Sequence, residues 1–264
     1  MNELSPVKPV LPIAPYIGGK RNLARKIIGL IEQVPHDTYA EPFVGMGGVF
    51  FRRERRPRAE VINDYSADVA NLFRVLKHHR RALIEDIRWQ ISSREAFEWL
   101  RAQDPNHLTD IQRAGRFLYL QRLAFSGKVN GRHFGVQTGR AAAFNPLALV
   151  AKIDSLHERL AGVMIERLAW SDFVRRYDRA GTLFYLDPPY YGCEDDYGKD
   201  LFSRDQFEQM AEQLSQIKGR FILSLNDKPE VRRIFSGFDI EAVPVRYTIS
   251  GAGGGEFREV IIRN

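Results

Sequence analysis

The spacing of apolar positions changes period along the chain, and the changes mark its elements. In "YIGGKRNLARKIIGLIEQV" (Tyr16 to Val34), Leu23, Ile27, Leu30 and Ile31 recur three and four residues apart, which predicts a Gly-Gly turn entering an amphipathic helix. "TYAEPFVGMGGVF" predicts a strand, a glycine turn and a helix. "AEVIND" predicts a second short strand, and "YSADVANLFRVLKHH" a helix. From 78 to 127 the helical period dominates, "TDIQRAGRFLYLQRLAF" included. The glycine-rich, basic "SGKVNGRHFGVQTGR" reads as a loop or hairpin, and Asn145-Pro146 opens a helix through about Leu160. Alternation of strand and helix then resumes. It runs through "VMIERL", a helix after Ser171, the apolar strand Thr182 to Leu186, and a helix near Asp205–Ile217. The strand "RFILSL", a short helix near Pro229–Phe235, and closing strands near Phe238–Val245 and Glu256–Ile262 complete it.

This alternation predicts an α/β sheet with mostly right-handed crossovers. The last two strands, joined through "SGAGGG", predict a hairpin and hence one antiparallel strand. The lapse of alternation makes 71–150 an insertion between 1–70 and 151–264. The first 15 residues, broken by four prolines and lacking a long apolar run, read as an extended arm rather than a signal peptide.

A composition of 44% hydrophobic and 11% aromatic residues allows a full core and excludes global disorder. The lone cysteine, Cys193, excludes an intrachain disulfide and a cysteine-rich metal site, and a cytoplasmic location fits. No stretch approaches the length of a membrane span. His78 and His79 point apart on a helix, so no metal is expected. The net charge of +6 is unevenly spread: residues 71–150 carry 13 Lys+Arg against 6 Asp+Glu, and the remainder 26 against 27. An insertion holding the whole basic excess suits a polyanion, or else a solvated helical face rich in arginine. "RRERRPR" (Arg52 to Arg58) reads as a solvated face.

Four stretches carry candidate chemistry. In "EPFVGMGGVF", Phe43, Gly45 and Gly47 sit at a strand-to-helix turn where bare backbone can approach a ligand, and Asp64 closes the next strand, where an α/β fold places an acid for ribose hydroxyls. G-x-G-G lacks the third glycine of a dinucleotide loop, so a nucleoside cofactor without phosphates fits better; a helix-packing turn with a capping Asp is the other reading. In "YIGGK", Tyr16, Gly18, Gly19 and Lys20 offer a ring, close backbone and an ammonium for a carboxylate, or simply a turn with a surface lysine. In "WSDF", Asp172 can accept from a purine amine while Phe173 stacks, or Ser171 caps a helix and Phe173 joins the core. In "LFYLDPPYYG", Asp187 ends a buried strand. Pro188 and Pro189 supply no N–H, so the ladder stops there, and Tyr190 and Tyr191 set rings beside the carboxylate.

In this order, "YIGGK", "EPFVGMGG", "NDYSADV", "DPPY" and "ILSLND" resemble the Dam-type DNA adenine-N6 methyltransferases over most of the chain. The resemblance implies a Rossmann-like fold with a seven-stranded mixed sheet and an inserted, mostly helical target-recognition domain at 71–150. It also implies S-adenosyl-L-methionine (SAM) as cofactor and double-stranded DNA as partner. "LAFSGKVNGRHFGVQTG" stands at the DNA-contacting hairpin without the Y-N-G-L and F-N-V-P pattern of GATC-specific members, so a GATC target does not follow.

The implied chemistry explains the tetrapeptide. An exocyclic amine is a poor nucleophile because its lone pair is delocalised. The Asp187 carboxylate and the Pro188 carbonyl are acceptors that would localise it, with Pro189 shaping the turn and Tyr190 stacking on a base flipped out of the duplex. Tyr191 reads as packing. Lys128 is expected at phosphate, and Asn130, Arg132 and His133 at bases. The acidic "EDDYGKD" reads as a loop covering the pocket. Amino methylation of cytosine or RNA, a silent DNA-binding or phage-defence protein, and a nicotinamide oxidoreductase are the competing readings. Asp in the first position of DPPY, the intact tetrapeptide and the missing third glycine argue against them in turn.

Overall fold

The structure, a computed structural model, describes residues 4–135, 139, 141–194, 202–246 and 256–264. The amino-terminal arm pairs a short strand, β1 (Ser5–Pro6), antiparallel with β3 (Arg55–Arg56). Between them lie α1 (Ala24–Gln33), which buries Ala24, Ile27 and Ile31, and β2 (Thr38–Glu41). The chain continues through β4 (Ala59–Asn63) into α2 (Ala67–His78), α3 (Arg80–Ile87), α4 (Arg94–Ala102), α5 (Asp110–Leu123) and α6 (Pro146–Arg159). It returns through β5 (Met164–Glu166), α7 (Trp170–Tyr177), β6 (Thr182–Leu186), α8 (Gln206–Leu214), β7 (Arg220–Asn226), α9 (Pro229–Ile234), β8 (Asp239–Arg246) and β9 (Glu256–Arg263).

Seven strands form one sheet in the order β5-β4-β2-β6-β7-β9-β8. The first five are parallel, and β9 runs antiparallel to both neighbours, as the closing hairpin predicted. β6 is the middle strand and is buried along its length. Both of its faces are covered by helices, which is why "TLFYL" carries no apolar–polar alternation. Tyr39, Leu183 and Tyr185 face one apolar cluster; Ala40, Phe184 and Leu186 face the other. The first cluster runs without a break from the sheet into Phe73, Phe97 and Phe117 of the helical segment, so that segment shares the core of the sheet.

The helix boundaries follow readable chemistry. Thr109 and Gln112 form a capping box at α5, and Asn145 Oδ1 accepts the Ala148 N–H at 3.2 Å with Pro146 in the first turn of α6. Arg116, inside α5, donates from Nε to the Leu100 carbonyl at 2.7 Å and from Nη2 to those of Arg101 and Gln103, satisfying the open C-terminus of α4.

Two expectations change. The helix expected after "EPFVGMGG" is a run of turns ending in one 3-10 turn, Phe50–Arg52, because Gly45 and Gly47 take positive φ (50° and 71°) and interrupt a helical ladder. "RRERRPR" is not wholly a solvated face. Arg53 is buried, bonded to Glu60 and stacked 3.7 Å from the Tyr39 ring centroid, and Arg159 of α6 grips the same Glu60 at 2.7 Å through both terminal nitrogens. No helix among the described residues is long and apolar enough to cross a membrane.

Candidate active site

The carboxyl ends of β2, β4 and β6 open onto a cavity of about 780 Å³. Tyr16, Gly18, Gly19, Lys20, Phe43, Gly45, Asp64, Asp187 and Pro189 all border it, so four motifs distant in sequence meet in one place. The volume lies within the usual range for a small-molecule site.

Gly45 borders the cavity beside Asp64. Its N–H donates to Asp64 Oδ2 at 2.9 Å, while the Ser66 N–H donates to Oδ1 at 2.9 Å. A Cβ on Gly45 would stand 3.0 Å from the Tyr16 ring, so that ring lies against bare backbone. Burial pushes the Asp64 carboxyl up to about 6 against the pull of those two N–H groups. Each oxygen keeps a lone pair for a further donor. Gly47 is placed differently from the expectation: a Cβ there would meet the Phe51 ring at 2.4 Å, so this glycine serves packing, and Gly48 borders the cavity instead.

Asp187 leaves β6 into a web of polar side chains. Lys20 Nζ lies 2.7 Å from Asp187 Oδ1, and Ser224 of β7 donates to the same oxygen at 3.1 Å. Lys20 is 3% exposed, which corrects the reading of a surface lysine. It also donates to the Tyr190 hydroxyl at 3.0 Å and sits 4.4 Å from that ring's centroid. Burial raises the Asp187 carboxyl to about 6, with Lys20 pulling down and Glu259 pushing up. Pro188 is buried, and Pro189 borders the cavity, so it does more than shape the turn. Asn226 clamps the turn, accepting the Tyr191 N–H and donating to the Tyr191 carbonyl, both at 2.9 Å. Tyr191 packs on Phe207 at 5.2 Å, as expected.

Asp172 and Phe173 are not brought to the cavity. Asp172 is exposed on α7 and pairs with Arg175 at 2.6 Å; Phe173 is fully buried beside Tyr177. The helix period puts Phe173 on the sheet side of α7 and turns Asp172 to solvent. Ser171 is inside the helix, whose N-cap is Ala169.

The basic loop closes as a hairpin-like turn. Ala124 bridges Phe134, and the Phe125 N–H donates to the His133 carbonyl at 2.9 Å. Lys128, Asn130 and His133 belong to it, and all three are exposed. Arg132 is turned inward: Nη2 donates to Gln121 Oε1 at 3.2 Å and the guanidinium lies 5.3 Å from the Phe117 centroid, so it does not face a base. The loop is joined to the cavity wall, since the Gly127 carbonyl accepts the Ile17 N–H at 3.1 Å and Gln121 Nε2 at 2.6 Å. Most of "EDDYGKD" and all of "SGAGGG" lie outside the described residues.

Several site residues had no motif to announce them. Glu41 borders the cavity; Tyr39 donates to it at 2.8 Å, and burial raises its carboxyl to about 8. Arg52, Arg122 and Lys152 border the same cavity and donate to the backbone carbonyls of Gly48, Ile13 and Pro12 respectively. Glu259 of β9 accepts from Tyr190. The signal for Ser224 and Asn226 was present, as alternate polar positions within "ILSLND". Among the described residues no group of three His, Cys, Asp or Glu is placed to hold a metal ion.

A model of the D12 class N6 adenine-specific DNA methyltransferases matches residues 16–249. The type II methyltransferase M1.LlaDCHI of Lactococcus lactis subsp. cremoris is 28% identical, over 96% of this chain and 95% of its own. A DNA adenine methylase of Vibrio cholerae serotype O1 is 23% identical over 91% and 90%. The type II methyltransferase M.CviBI of Paramecium bursaria Chlorella virus NC1A is 22% identical over 86% and 87%.

Proposed function

The chain belongs to the D12 class N6 adenine-specific DNA methyltransferase family, and from that premise we propose that the cavity takes SAM beside an adenine flipped out of duplex DNA, with Asp187 and Pro188 as the acceptors that activate the adenine N6. The observation that carries the reading is that the Gly45 loop, Asp64 and the Asp187 turn border one cavity.

The residues fit the donor. Asp64 suits ribose hydroxyls, and Gly45 and Gly48 offer backbone without side chains. Arg52 and Lys152 suit the donor's carboxylate, because Lys20 is engaged with Asp187 and Tyr190 and Arg122 with backbone carbonyls. When bound, SAM supplies a methyl group on a cationic sulfur. The chain's own part is to hold the amine. Lys20 and Ser224 both hold Oδ1 of Asp187, and no described residue bonds Oδ2, which is left for one amine hydrogen. The Pro188 carbonyl takes the other. Two acceptors in a buried site draw the nitrogen lone pair out of conjugation, and positioning with electrostatics supplies most of the rate. Tyr190 offers a ring to the base, and stacking worth about 1–3 kcal/mol offsets much of the cost of unstacking it.

Segment 71–150 is the target-recognition unit in this reading, with Lys128 at phosphate and Asn130 and His133 at bases. The type II names of two relatives suit a restriction-linked role. The test is incubation of the protein with SAM and unmethylated duplex DNA, followed by nucleoside mass spectrometry and mapping of modified positions. N6-methyladenine at one short sequence, absent with Asp187→Ala although that variant still binds SAM, is the expected result. N4-methylcytosine, or methylation that survives Asp187→Ala, overturns the assignment.

A further inference from the structure

β9, the last strand of the chain, lies between β7 and β8, and one of its central residues breaks the pattern of its neighbours. Val260, Ile261 and Ile262 are apolar and buried, as a strand paired on both sides requires; Glu259 beside them is just as buried, at 1% exposure, and carries a carboxylate. A buried carboxylate is costly unless it is paired or hydrogen-bonded. Here its partners are the site. The Tyr190 hydroxyl donates to Glu259 Oε1 at 2.5 Å, and Lys20 Nζ lies 3.6 Å from Oε2. The same ammonium reaches Asp187 at 2.7 Å and the Tyr190 oxygen at 3.0 Å. One buried lysine therefore serves two carboxylates and one hydroxyl.

We propose that Glu259 is a positioning residue for methyl transfer: it anchors the Tyr190 hydroxyl and competes with Asp187 for Lys20, so the base-facing ring and the acceptor carboxylate are set together from the last strand. The inference rests on the function proposed above and assigns it a residue from outside every motif read in the sequence. It has a physical rationale. A tyrosine that stacks on a flipped base through its ring alone can rotate about its side-chain bonds, whereas one tied at its hydroxyl by a charged acceptor cannot. An acceptor carboxylate that monopolised Lys20 would be a weaker hydrogen-bond acceptor for the amine; Glu259 takes part of that charge.

The groups facing Asp187 are Lys20 of the amino-terminal segment, Glu259 of β9, Ser224 of β7, Glu41 of β2 and Tyr185 of β6. Removing the Glu259 charge removes a like charge and releases Lys20 to Asp187, so both changes lower the Asp187 pKa. Glu259→Gln keeps the size and a carbonyl acceptor. It is expected to lower kcat by about 10- to 100-fold, the worth of one charge-assisted hydrogen bond, to leave SAM affinity within about twofold, and to shift the acid limb of the kcat profile to lower pH. Tyr190→Phe removes the hydroxyl that bridges Lys20 and Glu259 while leaving both charges in the chain, and the double variant should lose little more than either alone. A Glu259→Gln enzyme with wild-type kcat and acid limb overturns the proposal, as does full additivity of the two changes. A carboxyl-carbon NMR titration of Asp187 in the wild type and Glu259→Gln needs no turnover, so it separates this proposal from the assigned reaction: an unchanged Asp187 titration sinks it even if the wild type proves inactive on DNA. Should Glu259→Gln fail to fold, Tyr190→Phe must still lower kcat at unchanged SAM affinity, and an undiminished kcat there overturns the proposal.

Discussion

Lys20 Nζ lies 2.7 Å from Asp187 Oδ1, so the glycine turn near the amino terminus and the acceptor turn after β6 meet through one buried ion pair. The pair decides the charge state of the acceptor. Burial holds Asp187 up at about 6, and Lys20 is the largest influence pulling it down. The ionised carboxylate is much the stronger acceptor for an amine hydrogen, so activity should fall as pH drops through about 6. Lys20→Met removes the cation and leaves Asp187 facing the Glu259 carboxylate with only the Ser224 hydroxyl bonded to it among the described side chains. Its acid limb should move to higher pH, with kcat at neutral pH reduced about 100-fold or more. A pH series of single-turnover methylation decides this; a limb unmoved by Lys20→Met would mean that the lysine does not govern Asp187.

Glu41 gives a stability prediction with a definite sign. Its folded pKa is raised to about 8 by burial, against 4.5 for the ordinary group. Between those values the folded chain holds a proton that the unfolded chain has released, so stability declines as pH rises across that window and is level below it. Asp64 and Asp187, both raised to about 6, act in the same direction over their lower ranges. Glu41→Gln keeps the Tyr39 contact as a neutral amide and should flatten the decline between about pH 6 and 8, an effect of a few kcal/mol. Urea denaturation across pH measures it, and a slope unchanged by the substitution would place the proton elsewhere.

Glu60 is held between two buried guanidiniums, Arg53 from the turn before β3 and Arg159 from the end of α6. It fixes where the helical segment rejoins the sheet. Glu60→Ala strands two positive charges among Tyr39 and Phe50, and should cost about 3–5 kcal/mol in denaturant unfolding. A triple change that also replaces Arg53 and Arg159 with apolar residues should recover much of that loss. Failure to recover would mean that the guanidiniums make further interactions of equal worth.

The sheet was legible because its strands are short apolar runs between turn signals, and because "EPFVGMGG" and "LFYLDPPYYG" each place a polar or glycine residue where a run stops. Phe173 was misplaced because one aromatic at helical spacing fits a ligand stack and a core equally well, and only the packing of α7 on the sheet chooses. Arg132 and Arg53 were misplaced for a related reason: charge counting treats every arginine as solvated, while a long stem with a planar head also packs on Phe117 or Tyr39 and satisfies buried acceptors. The basic excess of 71–150 therefore overstates the charge available to DNA, since Arg116 and Arg122 are likewise bonded to backbone carbonyls. Glu259 was invisible because its partners, Tyr190 and Lys20, reach it only through the closing hairpin.

Among the described residues of the loop, Lys128 is the Lys or Arg that the fold leaves exposed, so it carries the prediction for DNA. Each phosphate that a protein neutralises releases about one counterion, which adds about 0.9 to the slope of log affinity against log salt on a duplex. Lys128→Ala should reduce the slope by about that amount and weaken target and non-target duplexes alike, because phosphates carry no sequence. Arg132→Ala is the contrasting change. Its guanidinium is committed to Gln121 and the Phe117 ring, so its removal should lower thermal stability and leave the salt slope near that of the wild type. Fluorescence anisotropy over a salt series, with thermal denaturation of both variants, separates the two roles. A salt slope that falls with Arg132→Ala and not with Lys128→Ala would mean that the loop reopens on DNA and turns the arginine outward.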